Sequence, residues 1–130
     1  MKKIPIDWNR LSISAWKARE NAFLIGKTAV GAALITENGK IYTGCNVEHR
    51  YRVMDIHAEL NAISNMINEG ERSFQAILVA AERPRFTPCG SCMDWIFQFG
   101  GSHCLIGYQS SAHAEIIIHS ANELMPFYPE

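Results

Sequence analysis

Residues 76–101 read Ala-Ile-Leu-Val-Ala-Ala-Glu-Arg-Pro-Arg-Phe-Thr-Pro-Cys-Gly-Ser-Cys-Met-Asp-Trp-Ile-Phe-Gln-Phe-Gly-Gly, and their pattern decides the fold. Ala76–Ala80 is a continuous apolar run, as expected of a strand buried on both faces. Glu82–Pro88 contains Pro84 and Pro88 and reads as a loop. Cys89–Phe99 reads as a helix that stops at Gly100-Gly101.

Upstream of this stretch, Leu60, Ile63, Ser64 and Ile67 recur at helical spacing and predict a helix over His57–Asn68, stopped by Gly70. Ala29–Ile35 and Ile41–Thr43 are apolar runs on either side of Glu37-Asn38-Gly39-Lys40. An Asn-Gly pair in that position predicts a hairpin with a primed turn, whose central residues take positive φ. Trp8 to about Ile25 is helical by spacing, and Cys45–Ile56 is polar, mixed and loop-like. Downstream, Cys104–Tyr108 and Glu115–Ile118 predict two more strands, with a closing turn at Asn122–Leu124. Helix, hairpin, helix, strand, helix, strand, strand describes an α/β protein: a mixed sheet with helices on its faces.

A chain of 130 residues fits one domain, 1–130, with no linker, repeat or low-complexity stretch. With 48% hydrophobic and 19% charged residues it has the composition of a soluble globular protein with one packed core. Twelve basic against thirteen acidic side chains, a net charge of -1, leave no cationic excess for neutralising phosphates. No nucleic-acid partner is therefore expected, although Arg50, Arg52, Arg83 and Arg85 gather in two expected loops. Met1-Lys2-Lys3 has the charge of a signal n-region, but Asp7, Asn9 and Arg10 fall where an apolar h-region would have to form. No run approaches the roughly 18 apolar residues of a membrane helix. A cytoplasmic location is therefore expected, and with it reduced cysteines, so a close cysteine pair reads as metal or redox chemistry.

Cys89 and Cys92 are that pair. The three-residue step puts both sulfurs on one turn at a helix start, where free N–H groups and the helix dipole favour thiolate. Pro88 ends the loop, and Gly90 lets backbone approach a metal. A Cys-x-x-Cys alone divides between zinc and redox use. His57, at the start of the preceding helix, supplies a nitrogen ligand. Three protein ligands leave the fourth position of a tetrahedral zinc to water, whose pKa the metal lowers to about 7. Glu59, two residues beyond, points elsewhere and suits a proton shuttle from the water to the ring nitrogen and leaving amine. His-x-Glu followed by Pro-Cys-x-x-Cys is the signature of the zinc nucleobase deaminases.

From about Val30 to Phe127 the chain resembles the short, one-domain cytidine deaminases. Val30-Gly31-Ala32-Ala33-Leu34 is similar to their first strand, Gly44-Cys45-Asn46-Val47-Glu48 to their ribose-binding segment, and Glu123-Leu124-Met125-Pro126-Phe127 to their C-terminal signature. The resemblance implies a three-layer α/β/α fold around a mixed, about five-stranded sheet, and usually a tetramer, with a dimer as the alternative. It implies one Zn²⁺ per chain, held by His57, Cys89 and Cys92, with Glu59 catalytic. It further implies that Asn46 and Glu48 bind the ribose hydroxyl, that the Ala58 amide contacts the pyrimidine oxygen, and that the Thr87 carbonyl receives departing ammonia. The implied reaction is hydrolytic deamination of cytidine or 2'-deoxycytidine by zinc-bound hydroxide.

The chain departs from the family pattern in places. His57 stands where most short members have Cys, and Leu60 where they have Arg; two thiolates and one neutral imidazole already balance Zn²⁺, so the two changes agree. Thr28-Ala29 replaces Phe-Pro, and Met93-Asp94 replaces Arg-Gln. These admit an alternative substrate, a modified or phosphorylated cytosine nucleoside or an aminopyrimidine nucleoside antibiotic of the blasticidin S type. Outside this chemistry stand a thioredoxin-like redox protein built on Cys89 and Cys92, and a structural zinc module needing Cys45, His49 or Cys104 as a fourth ligand. A base or RNA deaminase is a further alternative. Cys45 and Cys104 otherwise read as small buried apolar residues. His49, His103, His113 and His119 read as structural or surface residues, and Trp8, Trp16 and Trp95 as core or subunit contacts. Phe127 and Tyr128 either pack locally or close a neighbouring subunit's pocket.

Overall fold

Every residue of the strand Ala76–Ala81 (β3) is buried, because it lies in the middle of a sheet covered on both faces. In the computed structural model, which describes residues 4–129, the other strands are β1 (Val30–Ile35), β2 (Ile41–Cys45), β4 (Leu105–Gln109) and β5 (Ile117–Ser120). Their order is β2-β1-β3-β4-β5. β3 pairs antiparallel with β1, Val30 opposite Ala81, and parallel with β4, Ala76 opposite Leu105. The other two pairings are antiparallel, so the sheet is mixed and five-stranded. The signal-like charges of Met1-Lys2-Lys3 lie outside the described residues.

Side chains alternate across the pleat and so divide the core in two. Ala33 and Ile35 of β1 join Leu78 against Leu11 and Ala15 of the helix α1 (Trp8–Arg19). Ala32 and Leu34 face the opposite way, toward Ala62, Ile63 and Met66 of α2 (Ala58–Asn68) and Ile96 of α3 (Gly90–Gly100). A one-turn helix, α4 (Ala121–Leu124), opens with a capping box between Ser120 and Glu123. The result is the expected three layers.

Two glycines bring helices close to the sheet. A Cβ on Gly31 would stand 2.0 Å from the Ala15 carbonyl oxygen of α1. One on Gly44 would stand 2.4 Å from the Ala62 nitrogen and 2.7 Å from the Ala58 oxygen, so the first turns of α2 lie directly on β2. The parallel step from β3 to β4 needs a crossover, which α3 supplies, and α3 therefore starts at the carboxyl end of β3. α2 runs into β3 from the same edge, so both helices begin there.

Several boundaries differ from the sequence reading. The first helix ends at Arg19, short of Ile25, because Phe23 is drawn into strand-like pairing: its N–H donates to Asn46 at 3.1 Å, and the Glu48 N–H donates to its carbonyl at 2.8 Å. The hairpin turn is not primed. Gly39 alone of the pair takes positive φ (88°), and Thr36 and Lys40 close a longer loop. The last strand begins at Ile117 instead of Glu115, since Gln109 Nε2 donates to the carbonyls of Ala112 and Ala114 and holds that segment as a loop. Within the expected loop Cys45–Ile56, Arg52–Met54 forms a 3-10 turn, and Val47 bridges to both Phe23 and Ile56.

Candidate metal centre and active site

His57 is the N-cap residue of α2 and Cys89 the N-cap residue of α3, both with extended backbone (ψ 154° and 172°), and Cys92 sits in the first turn of α3. The two helix starts therefore aim these side chains at one point. His57 Nδ1 lies 3.3 Å from Cys92 Sγ and 3.4 Å from Cys89 Sγ, and the three donor atoms lie within 4.8 Å of one another. Two donors on one tetrahedral zinc, with bonds of about 2.0 Å to nitrogen and 2.3 Å to sulfur, stand about 3.5 Å apart. The donor set and its spacing fit that ion. Cys45, His49 and Cys104 are not part of the group, so among the described residues it offers three candidate ligands and no fourth, the number that a catalytic zinc site takes from protein. The four cysteines form no disulfide.

Burial, together with the neighbouring Glu59 carboxylate and Cys89, pushes the Cys92 thiol well above its ordinary range. Two sulfurs and a carboxylate this close favour the anionic form only when a cation shares the site. Glu59 is 3% exposed, and burial raises its pKa against the opposing pull of its own backbone amide, His57 and Cys92. A buried carboxyl whose pKa is raised is suited to taking up and releasing a proton.

A cavity of about 450 Å³ opens beside these groups, large enough for a small ligand. His57, Glu59 and Cys89 line one end, with Ala58, Phe86 and Thr87. Ala58 is the first residue of α2, so its N–H has no partner within the helix. Asn46, Glu48, Arg52 and Asp55 also line the cavity. Asn46 is 8% exposed and pinned at both ends of its amide: Oδ1 accepts from the Val30 N–H and Nδ2 donates to the Thr28 carbonyl, each at 2.9 Å. Glu48 Oε1 accepts the Ile25 and Gly26 amides at 2.7 and 2.6 Å, and Oε2 accepts Arg52 Nη2 at 3.0 Å. The Gly26 and Ile25 amides, with Arg52 beside them, hold Glu48 below the usual carboxylate range.

The sequence and the fold agree with known proteins. A family model described as the cytidine and deoxycytidylate deaminase zinc-binding region matches residues 8–108. The chain belongs to this deaminase family. A cytidine deaminase of Sporosarcina psychrophila is 40% identical to it over 96 residues, 72% of this chain and 71% of that protein. One from Mycobacterium tuberculosis (strain CDC 1551 / Oshkosh) is 31% identical over 105 residues, 79% of each. The 1.6 Å crystal structure of cytidine deaminase from Burkholderia pseudomallei superposes with a TM-score of 0.85 at 30% identity, covering 94% of this chain and 98% of that one. The resemblance carried by the motifs and the three-layer fold are thereby borne out.

Within this cytidine deaminase scaffold all eight residues singled out from sequence stand close together: seven line the cavity, and Cys92 Sγ lies 3.3 Å from His57 Nδ1. Sequence reasoning missed Asp55 and Phe86, and assigned no site role to Arg52 or Arg83. The Arg52–Asp55 spacing of three was the available signal for that pair. Arg83 Nη2 donates to Thr28 Oγ1 at 2.7 Å, a pairing across 55 residues that no local pattern announces. Arg50 stacks over Tyr51 and does not line the cavity. No helix among the described residues is long and apolar enough to cross a membrane.

Proposed function

We propose that this chain is a zinc-dependent hydrolase that deaminates a free cytosine nucleoside, cytidine or 2'-deoxycytidine, to the uracil nucleoside and ammonia. The observation that carries it is the meeting of His57, Cys89 and Cys92 beside the buried Glu59 at one end of a ligand-sized cavity. His57, Cys89 and Cys92 would hold one zinc ion per chain, which when bound supplies the Lewis acidity that makes water nucleophilic at neutral pH. Glu59 takes one proton from the attacking water and delivers it to the pyrimidine ring nitrogen, then carries a second, from the added hydroxyl, to the departing amine as the C–N bond breaks. The Ala58 amide donates to the pyrimidine carbonyl, and the Thr87 carbonyl accepts from ammonia. Asn46 and Glu48 hold the ribose hydroxyl.

Curated relatives named as cytidine deaminases support the substrate class. The buried Glu48 carboxylate favours an ordinary ribose hydroxyl over a modified sugar. A redox role for Cys89 and Cys92 leaves their shared contact with His57 without a purpose. Balanced charge supports a small ligand over RNA. We further propose a cytoplasmic, one-domain protein that works as a homo-oligomer, a tetramer before a dimer. Phe23 (60% exposed), Val53 (95%) and Met54 (58%) in the segments around the cavity support a subunit contact there.

The test is ammonia release from zinc-loaded protein offered cytidine, deoxycytidine, cytosine, adenosine, guanine and aminopyrimidine antibiotics. Turnover of the cytosine nucleosides is expected. Turnover of none, with zinc bound at one per chain, would sink the proposal. Light scattering on the same sample reads the subunit count, and a monomer would remove the oligomer proposal.

A further inference from the structure

Arg52 opens the 3-10 turn Arg52–Met54 and forks between two carboxylates. Its Nε donates to Asp55 Oδ2 and its Nη2 to Glu48 Oε2, both at 3.0 Å. Asp55 is itself fixed, because its other oxygen accepts the His49 amide at 2.7 Å. Glu48 is held from the opposite side by the Ile25 and Gly26 amides. An ionised carboxylate offers about four acceptor directions. Three protein bonds therefore fix the Glu48 carboxylate plane and leave about one direction for a further donor. Glu48 and Arg52 both line the cavity, which is where that donor would come from.

We propose that Arg52 is a positioning residue for nucleoside recognition: it acts through Glu48, holding the carboxylate in the orientation that accepts a ribose hydroxyl, while Asp55 orients Arg52. The inference rests on the reading of Glu48 as the sugar-binding carboxylate. Arg52 is 54% exposed, and exposed ion pairs contribute little to folding, so its effect falls on orientation. A planar guanidinium spans two carboxylates at fixed angles, which a lysine ammonium does not. A carboxylate already held in place spends no binding free energy on ordering itself when the substrate arrives.

Steady-state kinetics of zinc-loaded wild type, Arg52→Ala, Arg52→Lys and Glu48→Ala test this, with cytidine and with a 2',3'-dideoxy analogue lacking the 2' and 3' hydroxyls. Arg52→Ala is expected to raise KM for cytidine about tenfold with kcat within about twofold, the sign of lost uniform binding. For the analogue its KM should move by less than about twofold, since the hydroxyl that Glu48 accepts is absent. Arg52→Lys, which keeps the charge and loses the fork, should show the same selective rise at smaller size. Equal losses on both substrates in the two Arg52 variants overturn the inference, as does an unchanged cytidine KM. Glu48→Ala separates the premises: a loss equal on both substrates removes the sugar reading of Glu48. A selective loss in Glu48→Ala with none in Arg52→Ala removes only the role of Arg52. Failure of the wild type on both substrates counts against the proposed function itself.

Discussion

His57 Nδ1 and Cys92 Sγ stand 3.3 Å apart although 35 residues separate them in the chain. Two helix starts at one sheet edge create that contact, and with Cys89 it forms a group that could hold a metal ion. Cys92→Ala should therefore lower bound zinc to a small fraction of one per chain, measured by elemental analysis after dialysis. Full zinc retention would show that the ligands lie elsewhere.

Removing the metal should also loosen the fold around α2 and α3. A ligand present at about 100 times its dissociation constant stabilises by about 2.7 kcal/mol. A chelator is expected to lower Tm by several degrees in the wild type and not in Cys92→Ala. Equal melting curves for wild type with and without chelator would contradict this.

Glu59→Gln keeps the shape of the buried side chain and removes its proton transfer. Zinc content should stay near one per chain while kcat falls at least about 10²–10⁴-fold, the usual contribution of a general acid–base group. Turnover within tenfold of wild type would assign the proton to another residue.

Gly44→Ala places a methyl group 2.4 Å from the Ala62 nitrogen of α2. Backbone lies on the other side of the contact, so the helix has to move. Overpacking of this kind costs about 1–3 kcal/mol, readable in urea unfolding, and the shift of His57 and Glu59 should lower kcat at the same time. A variant as stable and active as wild type would mean that α2 has room to retreat.

Acid stability should depend on Glu48. Its folded-state pKa lies below its ordinary value of 4.5, so its ionised form stabilises the fold at all pH above that value. The contribution is lost as pH falls from about 4.5 through the lower folded-state pKa. Glu48→Gln should be less stable than wild type at pH 7, and the gap should close below pH 4.5 in urea titrations. A gap that widened with acid would reverse the sign and refute the assignment.

Chemistry is legible in the linear pattern because it depends on residue type at short spacing. His57-Ala58-Glu59 and Cys89-Gly90-Ser91-Cys92 each occupy a single helix start, and helical geometry converts those spacings into directions. The continuous apolar run of β3 likewise announces burial on both faces. Phe23 misleads for the opposite reason: its spacing fits a helix, yet Asn46 and Glu48 offer it backbone partners from a distant segment. The Asn38-Gly39 turn misleads because a hairpin signal specifies a reversal without specifying its loop length.

What the sequence by itself determined was the set of elements and the residue types that meet at the candidate site, since local spacing and side-chain chemistry are properties of neighbouring residues. Only the tertiary structure decided that β3 lies at the centre of the order, that Gly44 seats α2 on β2, and that Arg52 ties Glu48 to Asp55. Those facts arise from contacts whose formation depends on packing the whole sheet between its helices, and packing energy is shared among residues far apart in the chain.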